Sequence, residues 1–264
     1  MKNGRIDIHQ TDMCYVCFGN GSKSLVVLPG LSDGLITVEG KAIFLKAPYK
    51  RFLTEYTVYV FSRKNDMPEG YTIRQMAEDQ ALAMKKLGIS RASVLGVSQG
   101  GMIAQYLAID YPEMVEKLIL AVTAPNANEV AKDVVGAWIE MAKQGDHVRL
   151  MTDTAEKMYS KPYLEKNRKR IPLMARFTKP KSYERFFRNA YAILRFDARE
   201  ELPKIGCPTL IIAGEDDHTV GNEAPYVINR SIPDSEIFIY QGLGHAAYEE
   251  AKDFYDRVYG FCSR

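Results

Sequence analysis

Gly96, Ser98 and Gly100 stand two residues apart, between a stretch that reads as a buried strand (Val94, Leu95, Val97) and one that reads as a helix (Met102 to Ile109). A serine at the tip of so sharp a strand-to-helix turn is strained, and the residues two before and two after are pressed against it. Glycine has no Cβ to clash at those places. The strain leaves the Ser98 hydroxyl exposed. The following backbone N–H, that of Gln99, lies at a helix N-terminus, where it can face a developing oxyanion. The chemistry this spacing suits is nucleophilic attack by serine.

A serine hydroxyl is a poor nucleophile until an imidazole takes its proton, and a buried carboxylate must orient that imidazole. The chain has four histidines. His9 falls in an early strand and His147 in a helix, both suited to structural or surface roles. His245 ends Gln241-Gly242-Leu243-Gly244-His245, a glycine loop directly after a strand, and Gly214-Glu215-Asp216-Asp217-His218 leaves another buried strand in the same way. The order Ser98, then an aspartate, then His245 is a known triad order. His218 fits that order poorly and reads as a lining or surface residue.

The elements that must position these groups alternate. Arg5 to His9 and Cys14 to Gly19 read as a hairpin turned near Thr11-Asp12, and Ser24 to Leu28 as a buried strand. That strand runs into Pro29-Gly30-Leu31-Ser32-Asp33-Gly34, a glycine-rich loop at a strand's carboxyl end, where open α/β sheets bind ligands. The loop is either a plain turn or the source of a second oxyanion donor, the Leu31 N–H; the presence of Ser98 favours the donor. Thr57 to Phe61 is a strand, and Ile73 to Leu87 is a helix capped by Thr72 and ended by Gly88. Glu116 to Thr123, Pro208 to Gly214 and Ser235 to Tyr240 are strands, and Ala246 to Gly260 is a last helix. Strands alternating with helices predict a mostly parallel sheet covered on both faces.

Between Pro125 and Leu202 the strand signals vanish and helical stretches take over: Asn128–Lys143, His147–Tyr159 and Ser182–Leu194, punctuated by Pro162, Pro172 and Pro180. The expected organisation is a core of residues 1–124 and 203–264 with an inserted helical lid at 125–202.

Taken together, Leu28-Pro29-Gly30, Gly96-Val97-Ser98-Gln99-Gly100-Gly101, Gly214-Glu215-Asp216-Asp217 and Gly244-His245 resemble the α/β-hydrolase fold superfamily over essentially the whole length. The resemblance implies that fold. It places the acid three residues after the strand-ending glycine, at Asp217, with Asp216 as the alternative. Pro29 departs from the pattern, since many members have histidine before the oxyanion glycine, and His218 stands where proline is frequent. Serine at 98 separates the chain from dehalogenases and epoxide hydrolases of this fold, which use aspartate. Esterases, lactonases, thioesterases, carbon–carbon bond hydrolases, aminopeptidases and cofactor-free perhydrolases stay open.

The resulting expectation is a serine hydrolase that forms an acyl-enzyme on a small carboxylic ester, lactone or related acyl compound. Ser98 attacks, His245 moves the proton, Asp217 holds His245, and the Leu31 and Gln99 amides bind the oxyanion, with no metal or organic cofactor. The alternative from another class is a slowly turning ligand-binding signalling protein of the same fold, since fold does not fix function.

Composition bounds the partners. The 264 residues are 46% apolar and 26% charged, with a net charge of +2, too small to imply nucleic acid or membrane. No apolar run reaches the roughly 20 residues of a membrane span, and Met1 to Gln10 lacks a signal-type apolar segment, which points to the cytoplasm. Cys14 and Cys17 form a Cys-x-x-Cys, but three apart on a strand they face opposite ways, and no second Cys/His pair completes a zinc site. Cys207 and Cys262 read as packing residues. Charge is uneven: from Lys157 to Arg195 twelve Lys and Arg face only Glu165 and Glu184, a net +10 that leaves −8 for the remainder. Such a run is either a solvated helical face or a basic surface that draws an anionic substrate or an acidic partner toward the site.

Overall fold

The computed structural model describes residues 1–264. Its strands are β1 (Lys2–Ile8), β2 (Thr11–Phe18), β3 (Lys23–Leu28), β4 (Tyr56–Lys64), β5 (Ala92–Val97), β6 (Val115–Ala121), β7 (Thr209–Gly214) and β8 (Ser235–Tyr240). They form one sheet in the order β1-β2-β4-β3-β5-β6-β7-β8. β2 pairs antiparallel with β1 and β4, and every other pairing is parallel. β5 and β7 are buried at every position, as strands covered on both faces must be.

Alternation along these strands splits the core in two. Val26, Leu28, Val94, Leu118, Leu120 and Ile211 face one layer, while Leu25, Val27, Leu95, Val97, Ile119 and Ile212 face the other. Cys14 belongs to the second layer and Cys17 packs against the first, and all four cysteines are free thiols.

The helices are α1 (Ala42–Leu45), α2 (Ile73–Lys86), α3 (Gln99–Asp110), α4 (Glu129–Lys143), α5 (His147–Met158), α6 (Lys161–Asn167), α7 (Arg170–Phe177), α8 (Glu184–Leu194), α9 (Ala224–Ser231), α10 (Ala247–Glu250) and α11 (Phe254–Ser263). Thr72 caps α2 through a reciprocal pair with Gln75, a device worth about 1 kcal/mol. α4 to α8 all lie between β6 and β7. A bridge between Asn126 and Asp197 ties the two ends of that segment together, with Ala127 N–H donating to Phe196 O and Ala198 N–H to Pro125 O.

Several expectations shift. The first hairpin turns at His9-Gln10, with His9 in the left-handed region at φ 54°, so the residue is in a turn and not in a strand. α6 and α7 carry the prolines read as breaks. Pro162 and Pro172 sit within their first turns, where the missing N–H would have had no intrahelical partner. The C-terminal helix is two pieces, α10 and α11, parted at Ala251–Asp253. α1 and α9 are too short to show a helical period against their surroundings.

Candidate active site

β3 and β5 run side by side with Leu28 opposite Gly96, so the loop after β3 and the turn after β5 meet at the same carboxyl edge. Ser98 is that turn. It holds φ 53° and ψ −118°, a conformation that costs a non-glycine residue on the order of 1–3 kcal/mol. A Cβ on Gly96 would lie 2.5 Å from Gly100 O, and one on Gly100 would lie 1.8 Å from Leu28 O. Glycine at both positions is therefore a steric condition of the turn. Ser98 N–H donates to Ala121 O at 2.9 Å, and the Thr123 hydroxyl donates to Ser98 O at 2.7 Å. Val122 precedes Thr123 with φ 46°, unusual for a β-branched residue, at the end of β6 beside the turn.

β7 and β8 end as neighbours, Gly214 opposite Tyr240, and from these ends two loops bring the other polar groups in. His245 and Asp217 are both buried. Ser98 Oγ lies 2.9 Å from His245 Nε2, and His245 Nδ1 lies 2.7 Å from Asp217 Oδ2. A carboxylate only accepts, so the imidazole proton belongs on Nδ1 and donates to Asp217, leaving Nε2 to accept from the Ser98 hydroxyl. Asp217 Oδ1 takes the Thr219 and Val220 N–H groups at 2.8 and 3.0 Å. Both carboxylate oxygens are thus held. Asp216 is exposed and makes only a backbone bond, its N–H to Leu243 O. His218 is also exposed.

Two backbone donors border Ser98. The Gly30 Cα hydrogen side faces Ser98 closely enough that a Cβ there would sit 3.3 Å from the Ser98 Cβ. Leu31 follows at the start of a short 3-10 turn, Leu31–Gly34, and Gln99 begins α3. Neither the Leu31 nor the Gln99 N–H is used in a backbone hydrogen bond, as first-turn donors generally are not.

The loop after β3 is fixed from below by charge. Arg63, at the end of β4, is fully buried, and its Nη2 donates to Pro29 O at 2.6 Å and to Gln99 Oε1 at 2.9 Å. One guanidinium nitrogen thus ties the Leu31 loop to the residue after the serine. Asp33 Oδ2 accepts from the Arg63 N–H at 2.9 Å and from Arg185 Nη2 at 2.8 Å. Gln99 Nε2 donates to Asn189 O, so α8 is joined to the same network through both Arg185 and Asn189. Burial pulls the Arg63 guanidinium down to about 10, with Arg185 opposing and Asp33 supporting its charge, so it is still a cation at neutral pH.

Ser98 and His245 open onto a small cavity of about 100 Å³. Leu31, Leu35, Trp138, Phe186, and Leu150, Met151 and Met158 of α5 supply its apolar wall, Tyr248 adds a ring with a hydroxyl, and Ser32, Thr154 and Thr219 add theirs. No Lys, Arg, Asp or Glu lines it. The C-terminal end of α5 is anchored to the histidine loop by Ala246 N–H donating to Met158 O at 2.8 Å. His147 lies elsewhere in the helical segment, bonded to Thr178 and Tyr183. No group of three or more His, Cys, Asp or Glu is placed to hold a metal ion.

The structure brings Ser98, His245, Asp217, Leu31 and Gln99 to one sheet edge and leaves Asp216, His218, His9 and His147 outside it. Sequence reasoning missed Arg63, Asp33, Arg185, Asn189 and Thr123. A charged residue ending an apolar strand, as Arg63 does in Val58-Tyr59-Val60-Phe61-Ser62-Arg63, was the one available sign of a buried role.

A mostly parallel sheet with helices on both faces, and a serine turn that faces a buried His–Asp pair at the sheet's carboxyl edge, define the class of α/β protein. Residues 52–252 match the alpha/beta hydrolase fold family, and the chain belongs to it. Among its relatives, a 2-hydroxy-6-oxononadienedioate/2-hydroxy-6-oxononatrienedioate hydrolase of Pseudomonas sp is 29% identical, over 93% of this chain and 90% of that protein. The 3-oxoadipate enol-lactonase 2 of Acinetobacter baylyi is 26% identical over 56% of this chain and 54% of that protein. In three dimensions the chain is similar to MGS-M2, an alpha/beta hydrolase enzyme from a Medee basin deep-sea metagenome library (TM-score 0.88, 23% identity, 99% of this chain and 98% of that one). It is likewise similar to the enol-lactonase of Burkholderia xenovorans LB400 (TM-score 0.84, 21% identity, 99% and 100% covered). No helix of the chain is long and apolar enough to cross a membrane.

Proposed function

We propose that the protein is a serine hydrolase acting through an acyl-enzyme on a small, uncharged carboxylic ester or lactone. The observation that carries this reading is the hydrogen-bonded line Ser98–His245–Asp217, with steps of 2.9 and 2.7 Å, at the floor of an apolar cavity. In the first half-reaction His245 Nε2 takes the Ser98 proton as Oγ bonds to the acyl carbon. The carbonyl oxygen, now negative, receives the Leu31 and Gln99 N–H groups. Collapse breaks the bond to the leaving oxygen, which receives the proton from His245, and leaves the acyl group on Ser98. Water then gives its proton to His245 while attacking the acyl carbon, and the acid departs as Ser98 regains its proton. Asp217 keeps the imidazole in one tautomer and stabilises it when charged. The 125–202 segment serves as a lid, its α4, α5 and α8 walling the acyl pocket.

The lining argues for an uncharged acyl group. A carboxylate moved from water into a cavity without a cation is penalised by several kcal/mol. The dioate in the name of the Pseudomonas relative has two carboxylates, and the basic residues of this lid do not line the cavity. The carbon–carbon bond reading is therefore less favoured here than the ester or lactone.

The test is Ser98→Ala on a panel of short neutral p-nitrophenyl esters and lactones. The expected loss in kcat is on the order of 10⁴ to 10⁶, with the thermal unfolding transition kept. A variant retaining a tenth of wild-type turnover ends the assignment.

A further inference from the structure

The net +10 between Lys157 and Arg195 is unexplained by the cavity, because none of those cations lines it. Within 157–195 only two of them make an ion pair, Arg185 with Asp33 and Arg188 with Glu184. The remaining charge concentrates between Lys161 and Lys181, on α6, α7, the link between them and the turn after α7. Lys161, Lys166, Arg168, Lys169, Arg170, Arg176, Lys179 and Lys181 are all exposed, with Glu165 the one acid among them.

The same short stretch does something charge runs seldom do. On α7, Leu173, Met174 and Phe177 are 53%, 60% and 80% exposed, while Ala175 on the other side is buried. Phe177 follows Leu173 by four residues and Met174 by three, so it neighbours both on the helix surface and the three form one apolar ridge between cations. α7 packs inward on α5, the helix that supplies Leu150, Met151, Thr154 and Met158 to the cavity.

We propose that the α6–α7 face docks on the surface of a bilayer containing anionic lipid. A basic helix with an outward apolar ridge has the composition of an interfacial helix: cations meet the headgroups while Leu173, Met174 and Phe177 enter the acyl boundary. A second copy of the chain cannot cover this face with its own equivalent, since each would bring the same uncompensated positive charge. A nucleic acid would take the cations and leave the ridge in water. The −8 carried by the rest of the chain orients the molecule, turning α6–α7 toward a negative surface and the remainder away.

The experiment is co-sedimentation of the full chain with phosphatidylcholine vesicles and with vesicles containing phosphatidylglycerol, at low and high salt. Expected are partition onto the anionic vesicles about tenfold or more above the neutral ones, and release by salt. Two variants separate the parts: Leu173→Ser with Phe177→Ser removes the ridge, and Lys169→Gln with Arg170→Gln and Arg176→Gln removes charge. Each lowers partition about tenfold, while turnover of a soluble neutral ester is kept and reports an intact fold. Phe177→Trp adds a direct probe, its emission shifting to the blue on anionic vesicles only. The proposal is overturned by absence of binding to anionic vesicles at low salt. It is also overturned if the serine double variant binds like wild type, or if Phe177→Trp emission stays unmoved. Tight binding to an acidic polypeptide such as polyglutamate with no binding to vesicles would assign the face to a protein partner instead.

Discussion

Asp217 and Asp216 are adjacent and chemically identical, yet the structure gives them different surroundings. Asp217 is buried with both oxygens engaged; Asp216 points to solvent. Asp217→Asn removes the acceptor that holds Nδ1–H, and the expected drop in kcat is roughly 10⁴. Asp216→Asn is expected to stay within about twofold of wild type. Steady-state kinetics on one ester decides between them, and the reverse pattern moves the acid by one residue. His147 makes a prediction of another kind. Burial, with the Lys179 charge adding to it, holds its imidazole below the ordinary value. The unfolded chain therefore takes up this proton at higher pH than the folded one. The stability contribution is present in full above about pH 6.5 and is lost as pH falls below it. Urea midpoints at about pH 7.5 and about pH 5.5 should fall further for wild type than for His147→Gln. Equal falls would mean that His147 does not titrate differently on folding.

At the level of elements, the loop after β3, the start of α3 and helix α8 meet at Arg63. Leaving a buried acceptor without its donor costs about 1–3 kcal/mol. Arg63→Met should lower stability by that order, because Pro29 O and Gln99 Oε1 lose their donor while Asp33 keeps the backbone N–H of residue 63 and Arg185. It should also lower kcat more than it changes KM, since Pro29 O is released and the Leu31 N–H drifts from where the oxyanion forms. A lost oxyanion donor costs about 10² to 10³ in kcat. Stopped-flow turnover together with chemical denaturation reads both. If kcat is unchanged in a variant that has lost the stability, the network supports the fold and leaves the oxyanion site alone. Gly100→Ala tests the turn itself. Its Cβ would lie 1.8 Å from Leu28 O, backbone that cannot move without parting β3 from α3, so no folded protein is expected by circular dichroism.

Across the whole molecule, the cavity and the charged surface serve different ends. An uncharged cavity should prefer a neutral short acyl ester over its ω-carboxylate analogue by about 10² or more in kcat/KM. Turnover of the neutral ester should be insensitive to ionic strength. If the carboxylate ester were the better substrate and lost its advantage in salt, the basic helices would be steering substrate, and the neutral-substrate reading would fall.

Much of this was written in the linear order of residues. Buried strands alternating with helices dictate a parallel sheet, because both require their apolar surface covered on two sides, and the loops at the carboxyl ends then share an edge. Gly-x-Ser-x-Gly and Gly-His after strands are local patterns with local steric causes, so they are legible one segment at a time. The choice of Asp217 over Asp216 rested on the family resemblance, and the structure adds a reason: the loop folds so that Thr219 and Val220 turn their N–H groups on residue 217. Arg63, Asp33, Arg185 and Asn189 come from β4, the loop after β3, and α8. Nothing in the spacing of 33, 63 and 185 announces that they meet, because their contacts close across long stretches of chain. The two short helices with prolines in their first turns were equally hidden, since a proline marks a break or a beginning according to what packs beneath it. The sequence alone placed a run of cations between 157 and 195. That α7 turns Leu173, Met174 and Phe177 outward among them was settled by its packing on α5, which decides which side of a helix meets water.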